Sequence, residues 1–394
     1  MNHSPTLAIR PALTGGSVAI AAVYLSALLQ GLTLVSFPAL STVLKGLHDF
    51  SDAQYGAIFL PQVAAAIIGA VAGGALAKKI GLKALLILAL AANLLSQAAL
   101  TGSTAVPHAM AYVVVLVGTG FLGLGFGLAG APLNSYPPLL FPRYSNSALV
   151  AVHTAIGLGL TLGPLFVAAV MGTWLAYPIS LMASCAVLML IATIAHLPRV
   201  ESRNAVKETK ETSGARSAAF WLLVSIAILY AFAEGTFSSW AVIYLKESKH
   251  LPEAIAALAL SVFWGALVAG RFATSLIVLR VRAELVWSAL PILMIAAFAL
   301  LPYANGIMPA LLLFALAGLG CSAFFPLTIA LSSKRFDPAW VSSMLTAALM
   351  VGVGLGSFAV GFLREVLAFE NLYRLSTVYP LLVLALIFAL KRAK

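Results

Sequence analysis

Charged side chains are what this 394-residue chain has least of. Asp, Glu, Lys and Arg together make up 9% of it, and the acids number only 12. A soluble globular chain carries roughly 25% charged residues. So thin a supply cannot cover a water-facing surface. With 62% hydrophobic residues and a mean hydropathy of +1.04, lipid is the expected solvent. Cysteine is nearly missing too. Cys185 and Cys321 both fall in apolar segments, which excludes a disulfide framework and suits small packing residues. No Cys/His group has metal-ligand spacing, and the nine methionines are scattered, so neither a metal centre nor a copper carrier is indicated. Glycine recurs from Gly120 to Gly125, but inside an apolar helix rather than at a strand-to-helix turn, so it is no phosphate cradle. No nucleophile–base pair stands in a soluble setting, so the chain reads as neither an enzyme nor a cofactor binder. The net charge of +11 does not indicate nucleic acid, because the basic residues lie in short clusters between apolar segments.

What the chain has in plenty is long apolar runs. A bilayer core takes about 20 apolar residues per helix. On that measure the sequence predicts an all-α membrane protein with twelve transmembrane helices, near 17–44, 54–77, 82–103, 110–140, 147–171, 174–196, 218–245, 253–279, 284–302, 308–333, 340–363 and 372–391. One break is long and rich in charge. It divides the chain into an N-terminal six-helix bundle (1–197), a cytoplasmic linker (198–217) and a C-terminal six-helix bundle (218–394). The first apolar run is too long for a signal-peptide core and is kept as mature structure. Lys45, Lys246, Lys249, Arg364 and Arg374 fall on one side of the membrane, and the other 18 of the 23 basic residues on the side of the termini. Both termini are therefore predicted to be cytoplasmic. An internal repeat agrees with the division. Gly123 and Gly125 return as Gly318 and Gly320, and Gly157 and Gly159 as Gly352 and Gly354, all at an offset of 195 residues. Two parallel repeats of this kind are a design of secondary transporters.

Glu234 is the residue out of place. It lies a little past the middle of the segment 218–245, whereas the other acids fall in or beside the polar breaks. A charged group at such a depth costs roughly 2.5–3.5 kcal/mol on insertion scales, and it marks a candidate transport site. The bland reading is a carboxyl that only ties two helices together, worth about 0.6 kcal/mol. Tyr230 stands one turn before it, and Phe237 and Ser238 one turn after, so acid, phenol and aromatic plate share a face.

The break Gly74-Ala-Leu-Ala-Lys-Lys-Ile-Gly81-Leu-Lys83 resembles a loop motif of the major facilitator superfamily, with Lys78 where that motif has an aspartate. Ala231-Phe-Ala-Glu-Gly235, Trp240, Tyr244, Gly270-Arg271-Phe272 and Phe325-Pro326-Leu-Thr328 resemble the fucose permease-like branch and its bacterial relatives. Asn134, His153 and Gly163-Pro164 add to that likeness. The acids that sugar–proton symporters of the branch carry in the first and fourth helices are absent. Leu34 and Gly130 stand there, which leaves Glu234 as the one buried acid for coupling protons.

The resemblance implies a central cavity lined by the first helix of each half. On that basis Gln30, Tyr24, Phe37, Asn134, Tyr230, Phe237, Trp240, Trp264 and Phe325 are candidate substrate contacts, and Arg271 and His153 candidate gating residues. Each has a plainer reading as a packing, capping or interfacial residue. Arg271 differs from Glu234 in depth by about half a bilayer at 1.5 Å per residue, so no direct bond between them is expected. Gln62, Asn93 and Gln97 are lone amides with a smaller claim. The expected function is secondary transport of a small neutral polar solute, sugar-like or similar, across the cytoplasmic (inner) membrane by a monomer. Its partners would be substrate, protons and lipid. The rival is a proton-coupled exporter of cationic or amphipathic compounds, and a non-transporting sensor comes third.

Overall fold

The computed structural model describes residues 16–198, 217–336 and 338–392. Among them every regular element is a helix: α1 (Gly16–Leu34), α2 (Ser36–Ala39), α3 (Ser41–His48), α4 (Asp52–Ala57), α5 (Phe59–Gly102), α6 (His108–Leu140), α7 (Ser145–Ala169), α8 (Ala176–Ile194), α9 (Ala218–Glu247), α10 (Glu253–Ile277), α11 (Ala283–Leu300), α12 (Ile307–Ser322), α13 (Phe324–Ser332), α14 (Pro338–Arg364), α15 (Phe369–Ser376) and α16 (Val378–Arg392). The expected linker lies outside the described residues except for its first and last positions.

Proline sets several of the helix breaks. Val35, Ile58, Ala323 and Thr377 interrupt what the sequence suggests are single segments, and each stands three residues before a proline: Pro38, Pro61, Pro326 and Pro380. A proline ring collides with the carbonyl four residues back and offers it no N–H. The helix therefore ends at that carbonyl's residue and restarts with proline in its third position, where an N–H would lack a partner anyway. The carbonyls orphaned in this way belong to Leu34, Ala57, Ser322 and Ser376. Glycine makes one further break. Gly81 in α5 has a φ of +83°, a backbone conformation that side chains with a Cβ rarely adopt.

Eleven helical stretches of the described residues are long and apolar enough to cross a membrane. One of them, Asp52–Ala105, has 54 residues and the break at Gly81 inside it, enough for two crossings. Large apolar side chains such as Val71, Leu190 and Phe362 stay 75%, 64% and 61% exposed on outer faces, as lipid contact requires.

The repeated glycines of α6 and α12 make equivalent contacts in the N-terminal half (α1–α8) and the C-terminal half (α9–α16). A Cβ on Gly123 would lie 1.8 Å from the Gln62 carbonyl oxygen, and one on Gly318 would lie 2.1 Å from that of Phe263. Gly159 in α7 abuts Leu28 of α1 while Gly157 abuts Val268 of α10. In the same way Gly352 in α14 abuts Ile228 of α9 while Gly354 abuts Val63 of α5. In each helix one glycine closes its own half and the other closes the seam between halves, but in reversed order, so that Gly157 and Gly354, not partners at the 195-residue offset, take the seam. Such close approach is what small residues provide between membrane helices.

Candidate functional site

The site grows from the break between α12 and α13. Pro326 denies the Ser322 carbonyl its intrahelical donor, and Arg271 of α10 supplies one, its Nε lying 2.9 Å away. The approach needs Gly270, because a Cβ there would sit 2.6 Å from the Ser322 side chain. The neighbouring Cys321 carbonyl accepts from the Tyr230 hydroxyl of α9 at 2.9 Å. Tyr230 is also bonded to Glu234 Oε2. Its ring is buried and stacks on Phe324 at 5.0 Å and on Phe325 at 6.3 Å, which fixes where the hydroxyl can reach. A phenol has one proton to give, and here two acceptors compete for it.

Arg271 and Glu234 share no ion pair, but the structure brings them nearer than a depth difference of half a bilayer suggests. They are linked indirectly, through adjacent carbonyls of the broken helix. The Arg271 charge reaches both Glu234 and, across the seam, His153 of α7. His153 Nε2 stands 3.1 Å from Asn134 Oδ1 on α6, and both side chains are exposed. Trp264 of α10 is half-buried beside Phe263, and its Nε1 is buried without a hydrogen-bond partner. Tyr24 donates to the Ala148 carbonyl at 2.9 Å and meets the Phe141 ring edge-on, near the terminus end of α1.

Four candidates sit elsewhere than a cavity reading needs. Phe237 is wholly buried among Phe263, Phe298, Phe314 and Tyr373, with its nearest ring centroid at 4.4 Å. Three residues on a helix turn a side chain by about 60° relative to Glu234, enough to carry Phe237 from the seam into the bundle. Trp240 is wholly buried as well. Its Nε1 donates to the Ser357 carbonyl at 3.0 Å and its ring meets Tyr55 edge-on at 5.0 Å. Phe37 is fully buried against Gly118. Gln30 turns into its own half, where Asn93 Nδ2 donates to its Oε1 at 2.9 Å.

The hydrogen bonds and ion pairs that join the halves gather at the end away from the termini. Lys45 bridges Asp52 at 2.5 Å and Glu247 at 2.8 Å, and Arg364 lies 3.5 Å from Asp52. Thr42 donates to Glu253, and the Tyr55 hydroxyl donates to the Ser239 carbonyl at 2.9 Å. Gly56 and Gly361 let α4 and α14 touch backbone to backbone. These groups form a seal whose half-buried ion pairs are worth up to about 1 kcal/mol each. Lys45→Gln with Arg364→Gln should therefore loosen it. In a background with Cys185→Ser and Cys321→Ser, thiol labelling of Ser357→Cys from that side should quicken by on the order of tenfold. Unchanged labelling would mean that the glycine contacts alone hold the seal.

The freed carbonyls of a broken membrane helix are thus held by an arginine and a tyrosine–acid pair, with a sealed end beyond, and discontinuous helices of this kind are a feature of membrane transporters. The family model described as Major Facilitator Superfamily matches residues 19–361, and the chain belongs to that family. It is thus a multi-pass membrane transporter. No curated protein matches the chain. Among solved structures, a mutant of the nucleoside transporter NupG is similar with a TM-score of 0.78 at 16% identity, covering 94% of this chain and 99% of that one. A D-xylose–proton symporter gives 0.77 at 17% identity, covering 95% and 98%. A variant of the E. coli fucose:proton symporter FucP gives 0.59 at 18% identity, covering 97% and 99%. At these identities the likeness speaks for the fold.

Proposed function

We propose that the chain is a secondary active transporter that moves a small neutral polar solute across the cytoplasmic membrane by alternating access, coupled to protons through Glu234. The observation that carries this reading is the Tyr230 hydroxyl held between Glu234 and the Cys321 carbonyl. When Glu234 is protonated it can donate to Tyr230, which then gives its own proton wholly to Cys321 and caps the end of α12. When Glu234 is ionised it competes for that proton, and the carbonyl at the break loses its partner. An unmet buried carbonyl costs about 1–3 kcal/mol, enough to shift a two-state helix break. Proton occupancy on α9 is thereby read by α12 and α13. The halves 1–197 and 218–394 rock about this point, and Arg271 keeps the break attached to α10.

The solute site lies beside the break. The unpartnered Trp264 Nε1 is a donor waiting for a solute oxygen, since a buried N–H without an acceptor is costly. With the termini cytoplasmic, the seal at Lys45, Asp52 and Arg364 faces the periplasm, and this conformation faces inward. The similar structures, a nucleoside transporter and two sugar–proton symporters, favour neutral hydroxylated solutes.

A thermal-stability screen of the purified protein tests the reading. Sugars, polyols, nucleosides and organic cations are compared at about pH 5.5 and about pH 8, since a ligand at 100 times its Kd adds about 2.7 kcal/mol. A neutral polyol or nucleoside should raise the Tm, and by different amounts at the two pH values. Stabilisation by cations alone would replace uptake with the exporter reading.

A further inference from the structure

Away from the transport site, the terminus ends of α9, α11, α13 and α16 converge on a cleft of about 200 Å³. Its floor is apolar and fixed: Leu223, Trp287 and Leu390 are buried, and Leu331 is half-buried. Trp287 is locked by its Nε1 donating to Thr328 Oγ1 at 2.8 Å. The rim is basic, with Lys334, Arg335 and Lys391 around a single carboxylate, Glu284. Lys334 is satisfied by Glu284 at 3.0 Å, and Lys391 donates to Ser288 at 2.8 Å. Arg335 has no hydrogen-bond or ion-pair partner among the described residues. Two uncompensated positive charges therefore hang over an apolar floor.

We propose that this cleft binds the headgroup phosphate of an anionic phospholipid in the leaflet on the terminus side. A guanidinium fork matches two phosphate oxygens at once, and an ammonium adds a point charge beside it. Basic pockets between membrane helices are suited to such headgroups. Phosphate alone could also come from solution, but two features commit the site to lipid. The cleft floor is hydrocarbon, where a free, fully hydrated phosphate gains nothing. The helices that frame it carry large apolar side chains on their outer faces at the same level: Trp221 is 58% exposed, Leu285 56% and Phe388 53%. Acyl chains attached to a phosphate held at Arg335 would lie along that belt. Lys391, whose ammonium stands 5.6 Å over the Phe388 ring, marks the line where belt and rim meet.

The bound lipid would tie α13, just past the break, to α9, α11 and α16. Occupancy should therefore stabilise the C-terminal half. The test places the full-length protein in nanodiscs of phosphatidylcholine alone or with about 30% phosphatidylglycerol, reading Tm and retained lipid by native mass spectrometry. The anionic lipid should raise the Tm and stay bound. Arg335→Gln with Lys391→Gln should lose most of the shift, each removed charge weakening binding about fivefold. Each single variant should lose part of it, which keeps the result readable if the double variant folds poorly. Lys78→Gln with Lys79→Gln, exposed bases at the same end of the other half, should keep the full shift. Equal losses in both double variants would overturn the site in favour of general surface charge. An equal Tm rise with soluble glycerol phosphate in phosphatidylcholine discs would overturn the lipid assignment.

Discussion

In Glu234→Gln the accumulation of solute against a gradient is expected to vanish while solute exchange at equal concentrations persists. With one proton per solute, a pH difference of one unit sustains about a tenfold accumulation, and the variant should hold inside and outside concentrations equal. Glutamine keeps the size of the side chain and a donor toward Tyr230 but carries no titrating proton. It mimics permanently protonated Glu234, with the Tyr230 proton always on the Cys321 carbonyl. Tyr230→Phe removes the link instead of the proton site. It should lower accumulation too, while Glu234 can still titrate. Loss of exchange together with accumulation in Glu234→Gln, in a protein of normal Tm, would make Glu234 a solute contact rather than the coupling group.

Among the described glycines, Gly123→Ala should cost the most stability. The new Cβ would stand 1.8 Å from the Gln62 carbonyl oxygen and 2.7 Å from its carbon, both backbone atoms that cannot swing aside. Either α5 or α6 must move, an overpacking cost of about 3 kcal/mol or more against a total stability of about 5–15. Gly318→Ala, 2.1 Å from the Phe263 carbonyl, should behave alike in the other half. Gly74→Ala and Gly130→Ala meet nothing within 4 Å, and should leave the Tm unchanged or slightly raised, because alanine favours helix by about 1 kcal/mol over glycine. Melting of the detergent-solubilised protein, followed by size-exclusion, separates the two groups. A Tm loss in Gly130→Ala as large as that in Gly123→Ala would contradict the packing account.

Much of this fold is written in local chemistry. Apolar run length marks the helices, Gly81 falls in the gap left between 77 and 82, and the offset of 195 residues picks out Gly123 and Gly318, which make equivalent contacts. Pro38, Pro61, Pro326 and Pro380 share one consequence that hydropathy does not register: each orphans the carbonyl four residues back. The site was only partly legible for that reason. Glu234 and Tyr230, one turn apart, are found from helical spacing. Their acceptor is the backbone of Cys321, which no side-chain pattern reveals. Pro326 signals the break and the free Ser322 carbonyl beside it.

Other parts needed three dimensions. The direction of Phe237 depends on which neighbours surround α9, and its ring goes where four others already meet. Gln30 and Asn93 are polar residues 63 positions apart whose pairing only the packing of α1 on α5 decides. Lys45 and Glu247, 202 positions apart, look in sequence like two loop charges and in space form one seal.

The central claim, that solute movement carries a proton through Glu234, is tested most directly in proteoliposomes. They are filled with a pH-sensitive dye, and no gradient is imposed except that of the solute picked out by the stability screen. Solute entering through the wild-type protein should acidify the lumen in step with its own uptake, and Glu234→Gln should pass solute without any pH change. Solute uptake by the wild type with no accompanying pH change would contradict the account.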